Sequence, residues 1–490
     1  MRTSATLQVL LFAAGATALA QSPGTFTSTG NMITPRFGHM ATLLPNGKVL
    51  IAGGFAICFL QAQPCIGPNS AEVYDPNTGA FTATGAMNTI RPIGGVLLPN
   101  GKVLFAEGYY AQPGGLASIE LYDPTNGVFN RAGNAATLAG LTSATLLNDG
   151  TVLLIGRTNT GGGAEIYDPV TESSSLVPNW PTEVSFVPGL AVLLADGRVL
   201  LATADYPALY DPVVGTFTKF SIWPFDDTPP GVLLQDGQVL ITGGDTDSNG
   251  TVNWAELFDP AGGPLIATGS MSWARDGHSA TPLPDGTVLV AGGGTNIFDS
   301  ATKSTLVTAS AELYDPASGT FSPTGWMTTP RLTQAAVLLN NGQVLVTGGQ
   351  LSSPPEVPTR SFVGSTSAEL YTPAVLIPAP VLFSLSGDGT GQGAIWNPQT
   401  GQIASADSPA TAGDVLSMYT TSLFEGGVIP PQVAVGGQLA GVLYFGDAPG
   451  YPGYFQVNFR VPNGVAPGSA VPVRLTYIGR PSNVVTIGVQ

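Results

Sequence analysis

The chain has 490 residues, of which 43% are apolar, and its formal net charge of −16 comes from 16 Lys and Arg against 32 Asp and Glu. This composition is typical of a globular protein with a large core, and with no basic run it argues against nucleic acid as a partner. Two histidines and two cysteines leave little material for a transition-metal site or a nucleophile with its base.

The first twenty residues have the pattern of a secretory signal peptide. Arg2 provides the positive charge, residues 7–20 form an apolar stretch, and Ala18-Leu19-Ala20 places small residues before a cleavage site near Ala20. The stretch is too short for a membrane span, and no later stretch offers a transmembrane segment. We therefore expect a secreted protein that is extracellular, on the cell surface or periplasmic.

The two cysteines, Cys58 and Cys65, lie close together in one loop-like stretch. Because export allows disulfides to form, we expect these cysteines to be paired and to clip that loop.

Seven copies of one unit make up most of the chain. An Asn-Gly or Asp-Gly step recurs about every 49 residues and is followed by Tyr-Asp-Pro or a near variant. The steps begin at Asn46, Asn100, Asp149, Asp196, Asp236, Asp285 and Asn341, and the second signal begins at Tyr74, Tyr122, Tyr167, Tyr210, Phe258, Tyr314 and Tyr371. Such steps favour two-residue hairpin turns with positive φ at both central residues, and apolar runs flank them. Four strands per unit are typical of a propeller blade.

The ends of the repeat array indicate a closed ring. The seventh unit stops after its third strand, whereas residues 24–32 resemble the fourth-strand segment 319–327 of the sixth unit. Pairing of the N-terminal strand into the last blade would remove an exposed sheet edge. The sequence thus predicts an all-β protein with a seven-bladed propeller over residues 21–376.

The unit resembles a kelch repeat in its double glycines and in its Tyr and Phe pairs. These are Gly53-Gly54, Gly243-Gly244, Gly292-Gly293 and Gly348-Gly349, with Tyr74/Phe81, Tyr122/Phe129, Tyr210/Phe217 and Tyr314/Phe321. Phe replaces the Trp of many kelch repeats, and Thr203-Ala204 replaces the double glycine of the fourth blade. In outline the chain is similar to galactose-oxidase-like proteins, in which an immunoglobulin-like (Ig-like) domain follows the propeller.

After the Pro-rich segment 377–380, short β patterns separated by Gly and Pro turns replace the repeat. This spacing predicts a small Ig-like β-sandwich over residues 377–490. Residues 453–462 and 483–490 resemble an uncharacterised C-terminal domain of exported proteins from Acidobacteria such as Solibacter. The resemblance implies export and no particular activity.

One rim of the propeller is expected to bind the ligand. Nearly all length variation between units falls in the loop between the second and third strands. We call the rim that carries these loops and the connections between blades the loop rim; variable loops on a rigid scaffold commonly carry function. Aromatic residues there would stack on sugar rings or anchor a peptide, or would instead fill the gaps between blades. They are Tyr109, Tyr110, Trp180, Trp223 and Phe225.

Residues 245–256 match the spacing of a calcium-binding loop, with Gly250 at the sharp turn. Without flanking helices, the loop would resemble the calcium hairpins of integrin-type propellers. Glu256 recurs in other blades, so the repeat explains its match. A plain Asp- and Asn-rich turn is the alternative, and the sequence suggests no cofactor other than calcium. The oxygen ligands would come from Asp245, Asp247, Asn249, Thr251 and Asn253.

The resemblance to galactose-oxidase-like enzymes does not extend to their copper site. Those enzymes use Tyr and His ligands, including a His after the propeller, and a Cys joined to a Tyr. This chain has no His after His278, so we do not expect a copper radical oxidase. His39 and His278 share one repeat position and are most simply packing residues. Recurrent Arg36, Arg275 and Arg331, with recurrent glutamates, are expected to form structural ion pairs or backbone ties.

Three functions remain open. The one that the sequence favours is an exported binding or adhesion scaffold that presents its loop rim to a polysaccharide or an extracellular protein. The second is an extracellular carbohydrate-active enzyme with an unrecognised acidic site on the same rim. The third is a structural component of the cell envelope. The sequence predicts no catalytic residue and leans against an enzyme without excluding one.

Overall fold

The computed structural model describes residues 24–59, 66–88, 92–108, 116–158, 161–181, 188–203, 207–220, 225, 229–246, 250–261, 265–295, 306–351, 361–374, 380–423, 430–449, 451, 454–477 and 480–490. Within these ranges the regular secondary structure consists of β-strands, and no helix is long and apolar enough to cross a membrane. The predicted signal peptide and the predicted domain boundary between residues 376 and 377 lie outside the described residues.

The described residues form seven four-stranded antiparallel sheets, which are the blades of the predicted propeller. In blades 1 to 6 the strands follow one another in chain order from the innermost to the outermost. The first strands of successive blades contact one another, and that of blade 7 contacts that of blade 1. The ring is therefore closed.

The strand bounds of the first four blades follow. Blade 1 comprises Met40–Leu43, Val49–Ala52, Ala71–Asp75 and Ala80–Ala83. Blade 2 comprises Pro92–Leu97, Val103–Glu107, Ser118–Asp123 and Val128–Asn134. Blade 3 comprises Gly140–Leu146, Val152–Thr158, Gly161–Asp168 and Ser173–Leu176. Blade 4 comprises Pro188–Leu193, Val199–Thr203, Ala208–Asp211 and Thr216–Lys219.

The last three blades complete the ring. Blade 5 comprises Gly231–Leu233, Val239–Thr242, Ala255–Phe258 and Ile266–Ala267. Blade 6 comprises Ser279–Pro282, Val288–Ala291, Ala311–Asp315 and Thr320–Pro323. Blade 7 comprises Ala335–Leu338, Val344–Thr347, Ala368–Thr372 and, as its outermost strand, Thr25–Ser28 from the N-terminus. The predicted closure by the N-terminal strand is confirmed, since Thr25 pairs with Thr372 and Ser28 with Glu369.

The hydrophobic core of the propeller lies between adjacent blades. Second strands such as Val49–Ala52 are buried at every position, which explains their unbroken apolar sequence. In the described part of the chain, seven clusters of buried side chains fill the seven interfaces between neighbouring blades. Each blade therefore packs against a neighbouring blade on both of its faces.

The turn between first and second strands differs from the prediction of two residues with positive φ. Only the glycine has a positive φ, for example +80° at Gly47. The Gly47 N–H donates to the Leu44 carbonyl oxygen at 2.9 Å, and Asn46 Oδ1 accepts from the Lys48 N–H at 3.0 Å. Pro45 has the fixed φ that the first central position of a type I turn requires. The observed turn is a type I turn followed by a left-handed glycine.

Several loops on the loop rim contain short strands of their own. Ile57–Phe59 from blade 1 adds to Ser361–Gly364 and Gln350–Leu351 from blade 7, so a three-stranded sheet spans the ring closure. Two further ribbons pair Asp245–Thr246 with Gly250–Thr251 in blade 5, and Gly294–Thr295 with Leu306–Val307 in blade 6.

The C-terminal β-domain has its own core. Its strands are Ile395–Trp396, Val415–Thr420, Gln432–Val435, Gln438–Asp447, Phe455–Arg460, Gly468–Tyr477, Arg480–Pro481 and Val485–Val489. The long strand Gln438–Asp447 pairs with Phe455–Arg460 through residues 441–447 and with Gln432–Val435 through residues 438–440. It therefore links two halves, and buried residues from both form one cluster.

Candidate functional site

Among the described residues, three blades have a buried ion pair at the end that faces the loop rim. In blade 6, Arg275 Nη2 lies 2.8 Å from Glu312 Oε1, and Nη1 donates to the Gly292 carbonyl oxygen at 2.8 Å. Burial lowers the pKa of Arg275, and the carboxylate of Glu312 opposes this effect. The equivalent pairs are Arg36 with Glu72 at 3.3 Å and Arg331 with Glu369 at 2.7 Å. The prediction of structural ion pairs is confirmed.

The recurring glutamates also fix the connections between blades. Glu165 Oε1 accepts the N–H groups of Thr137 and Leu138 at 2.5 and 3.0 Å. Glu369 Oε2 accepts the N–H of Thr328 at 2.7 Å. Both carboxylates accept backbone hydrogen bonds, and that of Glu369 also pairs with the buried Arg331, so both have a structural role. These glutamates are therefore poor candidates for acid or base catalysis.

Blade 5 departs from this arrangement. Glu256 is paired with Ile241 in the register in which Glu312 is paired with Val290 in blade 6. Glu256 Oε2 is buried and has no hydrogen-bond partner in the described structure, and burial raises the pKa of this carboxyl group. The sequence places Asp226 where blade 6 has Arg275, counting back equally from the two Asp-Gly steps. Glu256 therefore has the repeat position of Glu72, Glu312 and Glu369, but the sequence has no arginine at the place corresponding to their partners.

Both histidines are packed between blades. His39 Nε2 lies 2.9 Å from Thr347 Oγ1, and His278 Nε2 lies 2.8 Å from Thr242 Oγ1. Burial, reinforced by nearby arginines, lowers the pKa of each to about 3. Both are therefore neutral at physiological pH, and each bonds to the second strand of the preceding blade. The interpretation of both as packing residues is confirmed.

The rim aromatics that the sequence singled out do not form a common site in the described structure. Tyr109, Tyr110 and Trp223 lie outside the described residues. Phe225 is only 1% exposed and belongs to the cluster between blades 4 and 5, so its side chain is not available to a ligand. Trp180 packs edge-on against Phe217 with ring centroids 5.3 Å apart, between blades 3 and 4.

Two other tryptophans are exposed on the connections that flank blade 6. Trp273 precedes this blade and is 59% exposed, and Trp326 follows it and is 64% exposed. Sequence reasoning missed them. A signal was present, because the buried position of these connections is occupied by Met271 and Met327, which leaves the nearby tryptophans outside the core. Both indole side chains are therefore accessible to a ligand.

The calcium interpretation is not tested by the described residues. Asp245–Thr246 pairs with Gly250–Thr251, while Asp247 and Asn249 lie outside the described ranges. Asn253 Nδ2 donates to the Met271 carbonyl oxygen at 2.8 Å, as Asn69 does to Met87 in blade 1, so Asn253 has a structural role in the repeat. No group of three or more metal-ligating His, Cys, Asp or Glu side chains occurs among the residues described. Calcium binding stays a prediction.

The loop of blade 1 contains the first of the two cysteines. Cys58 is disulfide-bonded and 7% exposed. Cys65, the only other cysteine of the chain, lies outside the described residues. Cys58 belongs to the strand that extends the rim sheet of blade 7.

Comparison with known proteins supports the fold. A solved fungal alcohol oxidase of the AA5 family, in complex with copper, matches with a TM-score of 0.60 and 17% identity over 96% of this chain and 100% of that chain. No family model matches the sequence, and no curated protein matches it. The chain therefore has a galactose-oxidase-like all-β fold, and identity this low says nothing further about its chemistry.

The residues present do not fit the copper of that oxidase. Imidazole is a preferred ligand of Cu(II), and the chain has only His39 and His278. Each is buried, and each Nε2 is already bonded to a threonine of the preceding blade. The C-terminal β-domain contains no histidine at all. We therefore derive no copper chemistry for this chain.

Proposed function

We propose that this protein is an exported binding scaffold whose loop rim binds a polysaccharide through the exposed tryptophans beside blade 6. The observation that carries this proposal is the exposure of Trp273 and Trp326, at 59% and 64%. An indole ring offers a flat apolar face against which the C–H face of a sugar ring can stack. Export rests on the N-terminal signal sequence, and kelch and Ig-like family membership rests on the sequence motifs.

The buried ties of the repeat supply the rigid frame that such a surface needs. The connection that carries Trp273 is fixed by the Ser272 N–H, which donates to Glu312 Oε2 at 2.9 Å, and by the Arg275 ion pair. The connection that carries Trp326 is fixed by the Thr328 N–H and the carboxylate of Glu369. A ligand site on fixed backbone loses little conformational entropy on binding.

The charge of the protein favours a neutral polysaccharide. The formal net charge is −16, and the described arginines near blade 6 are buried in ion pairs. An anionic polymer would be repelled by the overall field and would find no free cation among these residues. Neutral hexose or pentose polymers are therefore the class of ligand to test first.

Affinity electrophoresis in gels that contain neutral polysaccharides tests the proposal. We expect wild-type migration to be retarded and the variant with both Trp273→Ala and Trp326→Ala to lose at least tenfold in affinity. Replacement of both tryptophans by Phe retains an aromatic face and should retain most of the retardation. Val213→Ala, at a 91% exposed position in blade 4, is the matched surface control.

The same incubations distinguish a scaffold from an enzyme. Reducing ends and hydrogen peroxide are measured after prolonged contact between wild type and each polysaccharide. Retardation without product supports the scaffold. Product formation by wild type would contradict it in favour of a carbohydrate-active enzyme, and unchanged retardation of the double Ala variant would contradict the proposed rim site.

A further inference from the structure

Aromatic residues occupy the outer face of a sheet in the C-terminal β-domain. In Val415–Thr420, Leu416 and Met418 point into the core, so Tyr419 lies on the opposite side of Met418 in the alternation of the strand. In the neighbouring strand, Ile395 is buried in the same core and Trp396 faces outward. A solvent-facing sheet surface is ordinarily polar. These outward aromatics therefore require an explanation other than core packing.

The outward rings are close to one another. The ring centroids of Trp396 and Tyr419 are 4.8 Å apart, and those of Tyr419 and Tyr451 are 5.4 Å apart, with interplanar angles of 52° and 51°. A second pair, Phe383 and Tyr454, is 5.5 Å apart. Tyr451 and Tyr454 are 56% and 42% exposed, so solvent reaches much of their surface.

These rings line a cleft of about 460 Å³. None of the described lining residues is charged, and the walls that they form are predominantly aromatic. The hydroxyl groups of Tyr419, Tyr451 and Tyr454 make no hydrogen bond within the described part of the chain. The described residues that line it are Phe383, Ala394, Trp396, Gly401, Ile403, Tyr419, Tyr451 and Tyr454.

We propose that this cleft is a second carbohydrate site, which binds one or two rings of a neutral glycan. Sugar rings combine apolar C–H faces with hydroxyl groups at their edges. The aromatic rings that line the cleft offer apolar surfaces against which the C–H face of a sugar ring can stack. Because no described lining residue is charged and the protein has a net charge of −16, anionic sugars are disfavoured. This site is independent of the one proposed on the propeller.

The cleft is built before a ligand arrives. The Tyr454 N–H donates to the Tyr451 carbonyl oxygen at 3.1 Å, and the Tyr451 N–H donates to the Ala448 carbonyl oxygen at 3.0 Å. The Ala394 N–H donates to the Phe383 carbonyl oxygen at 2.9 Å. The backbone that carries these aromatics is thus hydrogen-bonded, which lowers the entropic cost of binding.

A proline-rich peptide is the competing occupant, because such peptides also dock on aromatic surfaces. A polyproline II segment rises about 3.1 Å per residue and needs an extended groove. Here the rings surround one compact cleft, which matches a ring-shaped ligand better. We therefore commit to the glycan and include a peptide in the test.

Isothermal titration of the full chain with cellohexaose, xylohexaose and chitohexaose tests the cleft. The titration uses the variant with Trp273→Ala and Trp326→Ala, in which the propeller site is removed. We expect one hexasaccharide site per chain to remain. Adding Tyr451→Ala should weaken it at least tenfold, whereas Tyr451→Phe should weaken it less than threefold. Tyr444→Ala, at a 44% exposed position outside the cleft lining, should leave it unchanged.

The outcomes separate the two proposed sites. If wild type binds a hexasaccharide and the double tryptophan variant does not, the cleft is overturned and the propeller site stands. If Tyr451→Ala in the wild-type background abolishes all binding, the propeller site is overturned and the cleft stands. Binding of decaproline that depends on Tyr451, without binding of any hexasaccharide, overturns the glycan assignment. Equal loss from Tyr451→Ala and Tyr444→Ala overturns the cleft as well.

Discussion

Phe26 packs against Tyr371 with ring centroids 4.9 Å apart, and the two residues are direct partners across the outermost strand pair of blade 7. Tyr74 and Phe81 of blade 1 have the same relationship at 4.8 Å. In blade 1 the pair is formed within one hairpin, whereas almost the whole propeller separates Phe26 from Tyr371 in sequence. The same local contact therefore closes the ring.

We expect Phe26→Ala to destabilise the protein by about 3 kcal/mol and to open blade 7 locally. The reason is that the N-terminal strand has no covalent hairpin turn to hold it once its aromatic contact is lost. Native-state hydrogen exchange should show faster exchange of the amides in Ala368–Thr372. Phe81→Ala is the matched control, because its strand remains tethered by a turn. Equal acceleration of both blades would contradict this account of the closure.

Removal of one partner from a buried ion pair should lower the free energy of unfolding far more than removal of one partner from an exposed pair. We expect Arg331→Met to destabilise the protein by about 3 to 5 kcal/mol, because Glu369 would remain buried as an uncompensated charge. Adding Glu369→Met should recover part of that loss. Lys48→Met, in the partly exposed pair with Asp75, should cost less than about 1 kcal/mol. Urea unfolding of these three variants and of Glu369→Met alone measures these differences, and additive losses in the double variant would refute the coupling.

A decrease in pH should lower the stability of the propeller through its two buried histidines. Burial holds the pKa of His39 and His278 at about 3, below the value of about 6.5 for an unfolded chain. At a pH between these two values, the histidines bind protons in the unfolded state but not in the folded state. Their contribution to the free energy of unfolding is therefore complete above pH 6.5 and decreases as the pH falls. From pH 6.5 to pH 5 the loss is about 2 kcal/mol for each histidine.

Substitution by glutamine isolates this contribution. Blade 7 already has Gln334 at the equivalent position, where Nε2 donates to the Ala291 carbonyl oxygen at 2.7 Å. His39→Gln with His278→Gln should therefore fold and should flatten the decline of the urea midpoint between pH 6.5 and pH 5. A double variant with the wild-type pH dependence would show that other groups cause the decline.

The repeating part of the fold can be predicted from the sequence because recurring motifs mark the boundaries of each blade. Asn46-Gly47 and Tyr74-Asp75-Pro76 occur at corresponding places in blade 1 and, with variations, in the other blades. The match of residues 24–32 to 319–327 also predicts the closure. The type of turn was not predicted correctly, because an Asn-Gly step is compatible with more than one type of hairpin turn.

The candidate sites were harder to predict because they depend on which way a side chain points. The sequence alone does not separate the buried Phe225 from the exposed Trp326, since both are aromatic residues in connections between blades. The aromatic cleft was missed for a related reason. Ile395–Trp396 is only two residues long, too short for alternation to reveal that Trp396 faces outward.

Glu256 lies at a repeat position where glutamates of other blades form ion pairs, but the sequence has no arginine at the corresponding place in blade 5. Burial raises the pKa of this carboxyl group, so its folded state retains the proton to higher pH than the unfolded chain does. Its contribution to stability is therefore present at low pH and is lost as the pH rises through the folded pKa. One oxygen of this carboxyl group is buried and has no hydrogen-bond partner in the described structure.

We expect Glu256→Gln to stabilise the protein at pH 7 by on the order of 1 kcal/mol, since a neutral amide is less costly to bury than a carboxylate. Glu312→Gln is the matched substitution in blade 6, where the lost charge faces Arg275 at 2.8 Å, and it should destabilise by about 3 kcal/mol. Opposite signs for the same chemical change would show that the arginine, and not the repeat position, makes the glutamate stabilising. A destabilising Glu256→Gln would instead mean that this carboxylate has a cationic partner, which a thermal melt with and without added Ca²⁺ would reveal if the partner is calcium.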